Sequence, residues 1–315
     1  MYRRSGAFTG ISLVALAASL ALAACSSSSA TSSTSAPASG TSSAANAGAA
    51  IDGSTALGSA CATVRSKYSG LPTSMSVGTS NSEPPDAYAN PKDPSQIIGL
   101  EPDIMALVAQ CLSFKYTYVP AGFDNVIASV QSGRTPLGIE GVYVTPAREQ
   151  VLDFVPYRVS EEEAVARPSV ASGIHSVNDF CGLTSGVTTG SVELMYLQQV
   201  SAQCVKSGKP KITINVYQDV GTIFLTLASG RLDFSIGAAE LVAPALKEYG
   251  SKLTASIIVP ALTFNIGIAI SKHDPELAQA VAAAMLAIQA NNLETPILKK
   301  WDYLASDQVT AKLDT

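Results

Sequence analysis

Histidine is almost missing from this chain: His175 and His273 are the two in 315 residues. Neither has a triad or Cys-His partner in its own stretch of sequence, so no Ser-His-Asp or Cys-His machinery can be assembled from motifs. Cysteine is scarce as well. None of the five stands at the two-to-four-residue spacing of a zinc site, so no metal or cofactor is expected. Basic residues are the minority, 20 against 25 acids. If Arg3 and Arg4 leave with a leader, the balance becomes 18 basic against 25 acidic, or −7. A nucleic-acid partner needs the opposite sign and is not expected. Long apolar runs are absent beyond the N-terminus, so no membrane-spanning helix is expected there.

What is present begins with a leader. Arg3 and Arg4 precede a short apolar run from Ile11, and Leu22-Ala23-Ala24-Cys25 resembles the box at which bacterial lipoproteins are cleaved and lipidated. The expectation is a signal peptide over 1–24 and a diacylated Cys25 holding the chain at the extracellular face of the cell membrane. Ordinary cleavage with a free cysteine is the alternative. Residues 25–60 are almost entirely Ser, Ala, Thr and Gly, too polar and small to bury a core, and read as a disordered tether. The remainder suits two lobes of ~100 to 150 residues.

The most informative stretch is IEGVYVTPAREQVLDFVPY, Ile139 to Tyr157. Ile139, Val142 and Val144 read as an apolar strand. Thr145 can cap a following helix through its hydroxyl, and Pro146 fits the first helical position. Arg148 then falls in a first helical turn, where a cation opposes the helix dipole at a cost of up to ~1 kcal/mol unless an anion is near. Free N–H groups plus a guanidinium fork make a carboxylate site. The competing reading is an ion pair with Glu140, Glu161, Glu162 or Glu163.

This run resembles the lobe-one signature of the amino-acid-type (family 3) extracellular solute-binding proteins of ABC importers. The resemblance covers about residues 75 to 305. It implies an α/β, two-lobed periplasmic-binding-protein type II fold, each lobe a mixed, mostly parallel sheet flanked by helices and joined by two hinge strands. Lobe one is then 61–161 plus 268–315, and lobe two 162–267. Thr145 and Arg148 match the family residues that grip a ligand carboxylate, and Gly141 matches the glycine before them. Four cysteines remain beyond Cys25; the pairing that keeps each bond within one lobe is Cys61 with Cys111 and Cys181 with Cys204.

Along the chain, 75–79 reads as a strand and 80–91 as a loop. A helix follows with Ile104, Leu107, Val108, Cys111 and Leu112 on one stripe. Phe114 to Val119 is a second strand, and Val126, Ile127 and Val130 mark a helix closed by Gly133. This alternation argues for a parallel sheet whose ligand end gathers Ser80 to Tyr88, Phe123 and Glu140 to Arg148. Ser160 to Arg167 crosses to the second lobe. There 179–183 reads as a strand, and Gly186 to Ser191 as a turn whose Thr188 and Thr189 match the family's lobe-two contact. Ser-Gly-Arg recurs at 132–134 and 229–231. Phe264 to Ile270 is the returning strand, Asp274 and Pro275 begin a helix, and Trp301 and Tyr303 fall in a closing helix as packing residues.

Three positions depart from the family pattern. Ala238 stands where an ammonium-binding Asp is usual, so either Glu240 substitutes or the ligand is not an ordinary amino acid. Glu83 replaces a stacking aromatic, and with Glu140 it could read a cation. Tyr143 replaces a smaller residue and narrows the pocket, while Phe123 matches an apolar wall. The family reading implies a monomer that captures a small carboxylate-bearing solute by hinge closure, delivers it to a membrane permease and catalyses nothing. The alternatives are a secreted cyclohexadienyl dehydratase-like enzyme, with Glu140 or Glu83 as acid or base, and a ligand-sensing receptor domain.

Overall fold

The computed structural model describes residues 54–315. The expected signal peptide, the lipidated Cys25 and the tether up to residue 53 lie outside the described residues.

Two short helices open the described chain, α1 (Ser54–Ala60) and α2 (Ala62–Lys67). Strand β1 (Ser74–Thr79) leads into a small antiparallel sheet of β2 (Ser82–Glu83), β3 (Ala87–Asn90) and β4 (Asp93–Ile98). Next come α3 (Leu100–Leu112), β5 (Lys115–Pro120), α4 (Phe123–Gln131), β6 (Leu137–Gly138) and α5 (Pro146–Glu149). The long β7 (Leu152–Ala166) carries the chain away. Beyond it lie α6 (Pro168–Ala171), β8 (Thr184–Thr188), α7 (Val192–Lys206), β9 (Thr213–Tyr217), α8 (Val220–Ala228), β10 (Phe234–Ala238) and α9 (Ala239–Tyr249). The longer β11 (Thr254–Ser271) returns, followed by α10 (Pro275–Ala290) and α11 (Thr295–Lys300).

One eight-stranded sheet runs through the molecule in the order β5-β1-β6-β11-β7-β10-β8-β9. At one end β1 is parallel to β5 and β6; at the other β8 is parallel to β9 and β10. The two halves meet at β7 and β11, which pair antiparallel along most of their length. Register shifts in β11 fall between Ala255 and Ile257, between Ile258 and Thr263 and between Ile266 and Gly267, the last two where the strands pass from one half to the other. This is the expected two-lobed arrangement with two connecting strands.

Local chemistry explains the elements that the sequence marks well. The Thr145 hydroxyl accepts the Arg148 N–H at 3.3 Å, with Pro146 at the first helical position. Asp274 caps α10 in the same way through the Leu277 N–H, and Leu277, Val281, Ala284, Met285 and Ile288 form its buried face. Both Ser-Gly-Arg sites place their glycine, Gly133 and Gly230, at positive φ after a helix. The disulfides are Cys61–Cys111 and Cys181–Cys204.

Several expectations are corrected. Residues 54–60 form α1 rather than tether, because Leu57 is buried against the core and the adjoining Cys61 is bonded to Cys111 of α3. The 80–91 loop contains β2 and β3, which pair with each other, and β3 pairs in turn with β4. Residues 177–180 make a 3₁₀ turn capped by Ser176 and Asp179, so the strand expected at 179–183 starts only at Thr184. The strand expected over 139–144 ends at Gly138: Gly141, with φ of 55°, turns the chain, and Tyr143 pairs with Ile266 only as an isolated bridge. Helix α11 stops at Lys300, so Trp301 is its C-terminal cap and Tyr303 lies beyond it.

Candidate ligand-binding site

The cleft between the two halves is lined by the ends of the central strands and the turns that follow them. Arg148 enters it from α5. The guanidinium donates from Nη1 to the Tyr143 carbonyl at 2.9 Å and from Nη2 to the Gly190 carbonyl at 3.3 Å, and it lies 5.2 Å from the centre of the Phe123 ring. It is 8% exposed. Among the described residues no carboxylate forms an ion pair with it, so Glu140, Glu161, Glu162 and Glu163 are not its partners. Burial lowers its pKa, against the pull of Glu193. A desolvated cation bound only to neutral carbonyls and an aromatic face retains capacity for an anion.

The surrounding wall is acidic. Glu83, Glu140, Glu162, Glu193 and Glu240 all line the cleft with Arg148, as do Phe123, Gly141, Tyr143, Thr188 and Ala238. Glu140 is 1% exposed, and neither of its oxygens has a hydrogen-bond partner of normal geometry among the described residues. Burial, with Glu83 and Glu101 adding to it, raises its pKa well above the usual carboxylate value, outweighing the help of the Ser80 hydroxyl. The same causes push Glu83 up to about 8, burial first and then Asp86 and Glu101. Glu101 accepts the Gly141 N–H at 2.5 Å and the Tyr157 hydroxyl at 2.6 Å, and burial still lifts it to about 8. Its neighbour Asp86 is brought close because the Pro85 and Asp86 carbonyls accept the Leu100 and Glu101 N–H groups at the start of α3. Gly99 makes that approach possible: a Cβ there would lie 2.0 Å from the Asp86 carbonyl oxygen.

Glu162, on β7, accepts the Tyr143 hydroxyl, and its other oxygen has no partner of normal geometry among the described residues. Burial and then Glu193 raise its pKa well above normal. Tyr143 is therefore a structural link as well as a narrowing residue: its carbonyl holds Arg148, its hydroxyl holds Glu162, and its ring stacks on Phe264 at 5.3 Å.

Glu240, expected as the substitute for the missing Asp, is already engaged. Arg158 of β7, fully buried, donates to Glu240 from one side of its guanidinium and to Asp86 at 2.7 Å from the other, and the Ser160 hydroxyl reaches both Glu240 oxygens at 2.9 Å. Tyr303 completes this cluster, donating to Asp86 and placing its ring 5.0 Å from the Arg158 guanidinium. Of the remaining expected contacts, the Thr145 hydroxyl accepts the Arg148 N–H and keeps its own O–H to donate, while the Thr189 hydroxyl donates to the Tyr217 carbonyl at 3.1 Å. Sequence reasoning missed Glu162 and Glu193 as cleft residues and Arg158 as the bridge. The run Glu161-Glu162-Glu163 was a signal, but which of its side chains faces inward depends on strand register.

A two-lobed α/β scaffold with a cation and several carboxylates converging at the strand ends between its lobes is the architecture of a periplasmic-binding-protein type II solute receptor. Residues 75–303 match the family of bacterial extracellular solute-binding proteins, family 3, and the chain belongs to that family. It is 24% identical over 233 residues to the L-cystine-binding protein TcyJ of Escherichia coli K12, covering 71% of this chain and 81% of that one. To the arginine-binding protein ArgT of Corynebacterium glutamicum it is 30% identical over 159 residues, half of this chain and 52% of the other. Among solved structures, an ancestral arginine-binding protein bound to arginine superposes with a TM-score of 0.67 at 23% identity, covering 73% of this chain and 99% of that one. No helix among the described residues is long and apolar enough to cross a membrane.

Proposed function

We propose that the chain captures a small carboxylate-bearing solute, of the amino-acid class, between its lobes and presents it to a membrane ABC permease. Lobe one is 61–161 with 268–315 and lobe two 162–267; the chain acts as a monomer held at the outer face of the membrane through a lipidated Cys25. The observation that carries this reading is Arg148. Its guanidinium is buried at the cleft, fixed by two carbonyls, one of them Gly190 across the cleft, and paired with no carboxylate among the described residues. An incoming carboxylate would supply the missing charge, and the Gly190 contact would link its arrival to closure. The family and the printed names of the relatives, which bind cystine and arginine, support the same class.

The test is a thermal-shift screen of the full-length chain against amino acids, small carboxylates and polyamines, repeated with Arg148→Ala. A ligand at 100 times its Kd adds about 2.7 kcal/mol to stability. Stabilisation of the wild type and not of the variant supports the carboxylate clamp; equal responses overturn it. A dehydratase reading retains one observation, that Glu140 lies in the cleft with burial raising its pKa well above the usual carboxylate value. Turnover of prephenate or arogenate would favour it over binding alone.

A further inference from the structure

Ala238 removes a carboxylate from the end of β10, and the strand pairing shows where another takes its place. In the antiparallel pair of β10 and β7, Ala238 stands directly opposite Glu162. Residues so paired project from the same face of the sheet with Cβ atoms ~5 Å apart. A carboxylate on β7 thereby reaches the space in front of Ala238. The candidate named from sequence, Glu240, is consumed by Arg158 and Ser160. Glu162 instead is held by Tyr143, the residue whose carbonyl fixes Arg148; its other oxygen has no partner of normal geometry among the described residues, and the Glu193 carboxyl lies close enough to share a proton with it. Glu193, from the first turn of α7, lines the same cleft and acts electrostatically on both Arg148 and Glu162.

A second group faces this one from lobe one. Glu140 and Glu83 line the cleft, and neither oxygen of the buried Glu140 has a partner of normal geometry among the described residues, the Ser80 hydroxyl only partly offsetting its burial. No lysine or arginine of the described chain pairs with Glu83, Glu140, Glu162 or Glu193. Buried polar atoms are otherwise nearly always satisfied, so two separate sets of carboxyl groups without a cationic partner, beside a guanidinium without a carboxylate, match a ligand whose own cations would ionise them on binding.

We propose that the cleft selects a solute bearing one carboxylate and two positive charges, with Glu162 and Glu193 determining specificity for the cation beside the carboxylate and Glu83 and Glu140 for a second cation on the lobe-one side. The inference rests on the carboxylate clamp at Arg148 and extends it to the rest of the ligand. It assigns the ammonium contact to a different strand from the one where a carboxylate was expected.

The experiment is titration calorimetry of the full-length chain with three probes: L-arginine, L-citrulline, which replaces the guanidinium by a neutral group of the same shape, and agmatine, which lacks the carboxylate. Wild type, Glu140→Gln and Glu162→Gln are compared. Arginine is expected to bind the wild type about 100-fold more tightly than either other probe, since each leaves a buried charge unpaired. Glu140→Gln is expected to bring arginine and citrulline within about threefold of each other, and Glu162→Gln to weaken both by about tenfold or more while keeping their ratio. Citrulline matching arginine on the wild type overturns the second cation subsite and leaves the Arg148 clamp standing. Agmatine matching arginine overturns the clamp and this proposal together, as does a failure of all three to bind. An unaltered Glu162→Gln overturns the assignment to β7. The comparison of probes on the wild type needs no variant to fold.

Discussion

Replacing Glu140 by glutamine should make the ligand-free protein more stable, and increasingly so as the pH rises. In the folded state Glu140 is 1% exposed and has no hydrogen-bond partner of normal geometry among the described residues, and burial with Glu83 and Glu101 outweighs the Ser80 hydroxyl and raises its pKa well above 4.5. A group with a raised folded pKa binds its proton more tightly in the folded than in the unfolded chain. Its favourable contribution is complete below about 4.5 and is lost as pH climbs towards the folded pKa, because the unfolded chain ionises there without penalty. The loss is about 1.4 kcal/mol per pH unit for one such group, so from pH 5 to pH 8 it is bounded at ~4 kcal/mol. Proton sharing with Glu83 and local relaxation reduce this, and ~1 to 3 kcal/mol is expected. For a domain of this size that is a rise in Tm of roughly 2 to 8 °C at pH 8. Calorimetric melts of ligand-free wild type and Glu140→Gln at pH 5, 6.5 and 8 make the measurement. Glu83, Glu101 and Glu162 act with the same sign in both proteins, so the difference between the two curves isolates position 140 and its coupling to its neighbours. A variant that is destabilised equally at every pH, or a difference that does not grow with pH, refutes the argument.

Arg158→Met leaves Asp86 and Glu240 without their shared cation in a buried setting and should cost about 3 to 5 kcal/mol in chemical denaturation; a loss under about 1 kcal/mol would mean that the ion cluster contributes no net stability. Removing the Cys61–Cys111 bond, which spans 50 residues, should cost ~4 kcal/mol by loop entropy, and Cys181–Cys204, spanning 23, ~3 kcal/mol. The reverse order in paired Cys→Ser variants would show that local packing, not chain entropy, sets the cost.

How legible each part was depended on how far apart its determinants lie. The cap of Thr145 and Pro146 on α5 involves four consecutive residues, so the sequence alone placed Arg148 correctly. The same holds for Asp274 and Pro275 before α10. By contrast, Pro84 and Pro85 suggest a loop, yet Ala87 to Asn90 pairs with residues on both sides, a choice made by neighbouring backbone rather than propensity. Gly141 ended an apolar run that reads as a strand, and only its turn towards Glu101 shows why. The acidic half of the cleft was the least legible. Glu162 matters because it faces Ala238, 76 positions later in the chain, and Arg158 because it joins Asp86 to Glu240; a one-residue change of register would exchange the inward and outward members of the Glu161 to Glu163 run.

Both ends of the described chain finish in the same half of the molecule. Helix α1 packs beside α3, stapled by the neighbouring Cys61–Cys111 bond, while Asp314 exchanges backbone hydrogen bonds with Phe154 at 2.8 and 2.9 Å. The other half is an excursion reached only through β7 and β11. Between the two ends of the described chain the backbone leaves this half once, through β7, and returns once, through β11. The two connecting strands are the covalent path that holds the second half, and neither end of the described chain lies on its far side.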